Sequence, residues 1–243
     1  MDTLPVELLY EIQLFSLSPC LPLACRRLHA VFKSAPPSFQ AQYLLARACS
    51  PRDSEILTRA LRYPVCSEAV LDIICKSPIL VRIQQHPPEL PKRLFRVLHP
   101  AKRKWTDRHH PLPYLRHMMT RLPVPPDCNA HQGYALTRAV HAQFMPLVAF
   151  LLDHGASPKQ KDGMAVSVAI RQKNLSLVKQ LIEREACVQG AQRGKRRRME
   201  DRMQVTKEML RVAVKSDARD IVEYLTREKG CVPDMQTLMM MSS

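Results

Sequence analysis

Residues Gly133, Leu136, Ala139, Val148, Leu151, Leu152 and Gly155 are answered 30 positions later by Gly163, Val166, Ala169, Val178, Leu181, Ile182 and Glu185. A third set, Leu210, Ala213, Val222 and Leu225, keeps the same internal spacings after a displacement of 44. No other feature constrains the fold as much, because a unit of this length cannot bury its apolar face alone and must stack on its neighbours. Within each unit the apolar positions form two runs at helical spacing, so each unit reads as a helical hairpin. Small residues (Ala139, Ala169, Ala213) sit where neighbouring helices must approach, and Gly155 before Ala156-Ser157 supplies a helix stop with positive φ. The excess of the second displacement over the first is an insertion of about 14 residues, roughly Gln189 to Met203.

This pattern, over residues 127–236, is similar to the ankyrin repeat, a tight turn followed by two antiparallel helices. The Thr-Pro-Leu-His stretch of that family is replaced by Ala135-Leu136-Thr137-Arg138, Ala165-Val166-Ser167-Val168 and Met209-Leu210-Arg211-Val212, and Glu185 takes the place of a stop glycine. The repeats are therefore degenerate. The resemblance implies a stack whose non-repeating side chains hold a protein ligand.

The first 34 residues carry a second pattern. Leu4, Leu8, Leu9 and Ile12 form one helical stripe, and Leu21, Ala24, Cys25, Leu28 and Phe32 form another. Pro5 is read as a first helical residue with Glu7 in the first turn. The order Leu4-Pro5-Val6-Glu7-Leu8-Leu9, then Leu17-Ser18-Pro19, then Ala24-Cys25-Arg26-Arg27-Leu28 resembles an F-box, the helical motif that docks a protein on a ubiquitin ligase. This copy is compressed between Ser18 and Cys25, so the family's second helix is expected as a stub and its third is expected to start near Pro22.

Between the two patterns, residues 38–122 hold helical candidates at Phe39 to Cys49, Asp53 to Leu61, Ser67 to Lys76, Pro91 to Leu98 and Leu112 to Leu122. Ser67 is a candidate N-cap followed at once by Glu68. The second and third candidates, and the fourth and fifth, are candidate pairs of very degenerate hairpins. Frequent prolines mark the joints and favour short helices over strands. The expected fold class is all-α: F-box-like helices, then an α-solenoid of helical hairpins ending in ankyrin-like repeats.

No apolar run approaches the length of a membrane span and no signal-peptide pattern opens the chain, so a soluble, intracellular protein of nucleus and/or cytoplasm is expected. The eight cysteines are scattered and read as reduced core thiols. Cys128 with His131, or His109-His110 with His117, makes no metal spacing; neither a phosphate loop nor a nucleophile elbow is present. No catalytic residue, metal or cofactor is expected. Net charge is +15, concentrated at Lys102-Arg103-Lys104 with Arg108 and at Arg193-Gly194-Lys195-Arg196-Arg197-Arg198. Lys195, Arg196, Arg197 and Arg198 resemble a nuclear-import signal; a solvated loop and a nucleic-acid contact are the other readings.

Taken together, the resemblances imply a substrate-recognition adaptor of a Skp-cullin-F-box type ubiquitin ligase. Leu4, Pro5, Leu8, Leu9, Ile12, Leu17, Leu21, Cys25 and Leu28 would bind the Skp adaptor, and through it a cullin-RING ligase, while the repeats hold a protein substrate. The alternatives are a non-catalytic ankyrin-type scaffold, in which the N-terminal helices cap the stack, and a basic nucleic-acid-associated nuclear protein. Exposure separates the first from the adaptor: a cap buries Leu8, Leu9 and Ile12, whereas an F-box leaves part of that face free.

Overall fold

Ser67, Asn174 and Thr206 each accept a hydrogen bond from an amide one turn ahead, from Val70, Leu177 and Met209 at 3.5, 3.1 and 3.4 Å. Such caps satisfy donors that the first turn of a helix leaves free. The computed structural model describes residues 4–48, 55–77, 86–100, 105–184 and 201–242. Among these the regular elements are all helical, and one isolated bridge joins Glu89 to Asp127. Among the described residues no helix is long and apolar enough to cross a membrane. The chain divides into two units, residues 1–94 with 110–127, and residues 95–109 with 128–243.

The first unit begins with α1 (Val6–Ser16), a 3-10 turn at Leu21–Leu23, α2 (Arg26–Lys33) and α3 (Pro37–Ala48). Helices α4 (Ile56–Leu61), α5 (Glu68–Lys76), α6 (Arg93–Arg96) and α7 (Leu112–Arg121) follow, α6 lying where the chain passes between units. Helix α3 is the hub, with α1, α4 and α5 against it and α7 against α5. One sequence expectation changes here. The predicted hairpin of Asp53 to Leu61 with Ser67 to Lys76 gives way to α3, which packs on both α4 and α5. The segment Pro91 to Leu98 is divided between units after Leu94. Polar ties secure the bundle: Tyr114 donates its buried hydroxyl to the Cys66 carbonyl at 2.7 Å, and Arg93 donates to that of Leu61 at 2.8 Å. Burial, followed by the adjoining Cys66, pushes the Tyr114 hydroxyl well above its ordinary pKa.

The second unit contains α8 (Ala130–His141), α9 (Met145–Asp153), α10 (Gln160–Arg171), α11 (Leu175–Ile182), α12 (Lys207–Lys215), α13 (Arg219–Glu223) and α14 (Met235–Ser242). A wide turn, Tyr224–Glu228, extends α13. Helix α8 packs on α10, α10 on α12 and α12 on α14, while α9, α11 and α13 each return along the preceding helix. The 30-residue period therefore sets the helix starts directly: Ala130 against Gln160, and Met145 against Leu175. Ala139, Ala169 and Ala213 are fully buried along the row of first helices.

The turns repeat as well. Gln143, Lys173 and Asp217 take left-handed φ values of 53°, 54° and 47°. In each case the next amide reaches back to the aligned alanine: Phe144 to Ala139, Asn174 to Ala169, and Ala218 to Ala213, at 3.0, 3.3 and 3.1 Å. This is the hydrogen-bond pattern of a Schellman stop, made here three times without glycine. Gly155, at φ 84°, supplies the expected glycine stop for α9. Residues His131, Gln132 and Gly133, like Lys161, Asp162 and Gly163, are left-handed, so regular helix begins at Tyr134 and Met164.

Candidate protein-interaction surface

Helix α1 is entered from Pro5, whose carbonyl accepts from the Leu9 amide at 3.3 Å; Pro5 caps the helix and is not its first residue. The helix ends at Leu17, left-handed at φ 48°, with its amide on the Gln13 carbonyl at 3.0 Å. Gln13 Nε2 and the Tyr43 hydroxyl donate to the Ser18 carbonyl at 2.9 and 3.2 Å, and Arg47 donates to that of Leu17. Arg27 donates to the Leu4 carbonyl at 2.8 Å. The Leu17-Ser18 bend is thus held by α3, and the start of α1 by α2.

The third helix of the motif starts at Arg26, not near Pro22. Cys25 is extended (φ −154°, ψ 163°) and caps α2 by accepting from the Leu28 amide, while Pro22 lies in the 3-10 stub. Leu9, 2% exposed, and Leu28, 3% exposed, face each other across a small core with Phe32. Leu4, Tyr10, Leu21, Val31 and Phe39 pack around them, and the Tyr10 ring stacks on Phe39 with centroids 4.3 Å apart. Leu9 and Leu28 are therefore spent on the fold and are withdrawn from the contact set. Gln13, in register with Leu9 one turn on, takes the second buried position of α1.

What remains outside is a groove lined by Leu4, Leu8, Glu11, Ile12, Phe15 and Ser16. Leu8 is 43% exposed, Ile12 39% and Phe15 88%. Pro5 and Cys25 are exposed; Leu17 and Leu21 are half-buried. The expected stripe is thus split between two faces of α1, Leu9 inward, Leu8 and Ile12 outward. Phe15 was missed by the sequence reading, although its position continues the series 4, 8 and 12 at helical spacing.

Of the thiols expected in the core, Cys66 and Cys128 are buried, Cys75 and Cys231 half-buried, and Cys20 and Cys25 exposed. The exposed pair lies in the compressed N-terminal stretch, where short turns leave too little helix to bury a side chain. Cys49 and Cys187 lie outside the described residues. Among the described residues no group of three His, Cys, Asp or Glu could hold a metal ion. His117 pairs with Asp72 at 3.1 Å, and His109 Nδ1 meets the Thr106 hydroxyl at 2.7 Å.

The expected import signal at Lys195, Arg196, Arg197 and Arg198 lies outside the described residues, as do Lys102, Arg103 and Lys104. The described residues resume at Asp201, inside the expected insertion. Met203 is buried, and its Cε and that of Met209 occupy the space a Cβ on Gly163 would need. Beside it, Lys229 pairs with Asp201 and Glu183 at 2.9 and 3.1 Å, and the Tyr224 hydroxyl donates to Glu183 at 2.8 Å. Lys179 lies over the Tyr224 ring, 4.8 Å from its centroid. No protein-family model, no curated protein and no solved structure matches the chain.

Proposed function

We propose that this chain is a substrate-recognition adaptor of a Skp-cullin-F-box type ubiquitin ligase, with α1 and its neighbours binding the Skp adaptor and the second unit holding a protein substrate. One observation carries the reading: Leu8, Ile12 and Phe15 stand exposed along α1 while the ordered motif around them folds. An apolar side chain left in water contributes nothing to folding, whereas covering it with a partner gains roughly 25 cal/mol per Å². The repeated hairpins of the second unit support an ankyrin-like stack. Catalysis belongs to the recruited ubiquitin-conjugating enzyme, and the receptor acts by raising the local concentration of its target. No cofactor enters this reading. Nucleus and cytoplasm are both open to such a receptor, and the Lys195 to Arg198 run favours nuclear import.

A second reading is a scaffold whose N-terminal helices cap the stack, which would bury Leu8, Leu9 and Ile12; of these three Leu9 alone is buried. The variant Ile12→Asp with Phe15→Asp separates the two, because both side chains are outside the core. Recovery of the Skp adaptor by co-purification is expected to be lost while helical circular dichroism is retained. Unchanged recovery, or no recovery by the wild-type chain, defeats the adaptor reading.

A further inference from the structure

Once the three hairpins are aligned on their 30- and 44-residue displacements, one position from Gly133 to Gly155 is basic in every copy: His141, Arg171 and Lys215. The three lie in the last turns of α8, α10 and α12, which pack side by side in that order. Arg171 and Lys215 are exposed and His141 is half-exposed. Lys173, two residues past Arg171 in the left-handed turn, is exposed too. Neither Arg171, Lys173 nor Lys215 has a carboxylate partner among the described residues, and Asp217, the nearest acid in sequence, is held by Arg219 at 3.4 Å.

Cations in a last helical turn favour the helix dipole, which accounts for one charge on one helix. It does not account for basic side chains at the same register of three stacked helices, two of which, Arg171 and Lys215, are exposed charges without a carboxylate partner among the described residues. Packed helices lie about 8–10 Å apart, so the three positions form a ladder with rungs of that spacing. A peptide in the polyproline-II conformation advances about 3.1 Å per residue with three residues per turn, so every third side chain lies on one face and meets a rung. We infer that the ladder His141, Arg171 and Lys215 receives an acidic peptide segment in the polyproline-II conformation with carboxylates at every third residue. This rests on the reading of the second unit as the substrate platform and specifies the chemistry of the substrate. Continuous backbone charge, as in single-stranded nucleic acid, has no need of that spacing and uses stacking aromatics, which the ladder lacks.

The test is fluorescence anisotropy with the full chain and a labelled peptide of repeating Glu-Ser-Gly, at about 0.1 M salt. A peptide of the same composition with its glutamates contiguous, and a labelled oligouridylate, are the comparisons. The Glu-Ser-Gly peptide is expected to bind most tightly, and Arg171→Gln with Lys215→Gln to weaken it roughly three- to tenfold, two exposed ion pairs being removed. The melting temperature of that variant is expected to stay unchanged, and a shifted melting temperature with unchanged affinity would assign the cations to the helix dipole instead. Absent binding, equal binding of the contiguous peptide, or tighter binding of oligouridylate overturns the inference. Adaptor recovery with Ile12→Asp and Phe15→Asp reports on the other unit, so failure of the peptide test leaves that result to be read separately.

Discussion

The amide of Arg202 donates to the carbonyl of Ile182 at 2.7 Å, so the chain after the basic insertion is tied to the last residue of the helix before it. The Arg202 guanidinium adds bonds to the carbonyls of Glu183 at 3.2 Å and Leu152 at 3.5 Å. Through this one residue α9, α11 and the approach to α12 share a fastening. When the side chain is removed the Glu183 carbonyl loses its donor, while the Leu152 carbonyl keeps the Gly155 amide at 3.2 Å and Ile182 keeps the Arg202 amide. Arg202→Ala is expected to lower stability by about 1–2 kcal/mol, the sum of two modest hydrogen bonds and lost packing of the side-chain stem. Urea denaturation measures it, and an unchanged midpoint would show that the backbone bond alone holds the junction.

Beside that fastening, burial would raise the Glu183 pKa, but hydrogen bonds from Tyr224 and Lys229 outweigh it and hold the carboxyl below its ordinary value of 4.5. A carboxylate whose pKa is depressed on folding contributes stability above its unfolded pKa and loses it as pH falls through the folded one. The wild-type chain is therefore expected to be more stable than Glu183→Gln at neutral pH, and the gap to close on acidification below pH 4.5. The difference between the two urea midpoints across that range is the measurement. A gap independent of pH would place the contribution in packing. The side chain is 38% exposed, so solvent screening keeps the effect small.

Three glycines with positive φ separate backbone cost from steric cost. Gly155 has nothing within 4 Å of an added Cβ, so Gly155→Ala loses only the left-handed preference, about 1 kcal/mol. At Gly163 the added atom would meet the methyl ends of Met209 and Met203, and flexible methionines can move aside. At Gly133 it would meet Gln160 Cβ at 2.8 Å, close to the backbone and unable to yield. Thermal unfolding is expected to rank the losses Gly133→Ala largest, Gly163→Ala next and Gly155→Ala smallest. The reverse order at Gly133 and Gly155 would contradict the close approach of the two turns.

The repeat was legible in the sequence because stacking demands the same residue types at the same spacing. Ala139, Ala169 and Ala213 must be small where first helices meet, and Leu151, Leu181 and Leu225 must be apolar where second helices return. The left-handed stops at Gln143, Lys173 and Asp217 left no such mark: the side chains differ, and it is the backbone bonds to the aligned alanines that impose the geometry.

By itself, then, the sequence determined the helical class, the register of the hairpins and the order of the N-terminal motif, all local consequences of periodicity and capping. Only the tertiary structure decided which side of α1 faces water. Leu8 and Leu9 are neighbours on one apolar stripe, and helical spacing treats them alike. Once Leu28, Phe32 and the Leu17-Ser18 bend take their places, the space beneath α1 admits Leu9 and Gln13 and leaves Leu8, Ile12 and Phe15 outside. The same holds for the end of the insertion, where Met203 is drawn into the core by the room above Gly163, a contact between residues 40 positions apart. Burial is settled by what packs from elsewhere in the chain, and spacing along one helix cannot supply that.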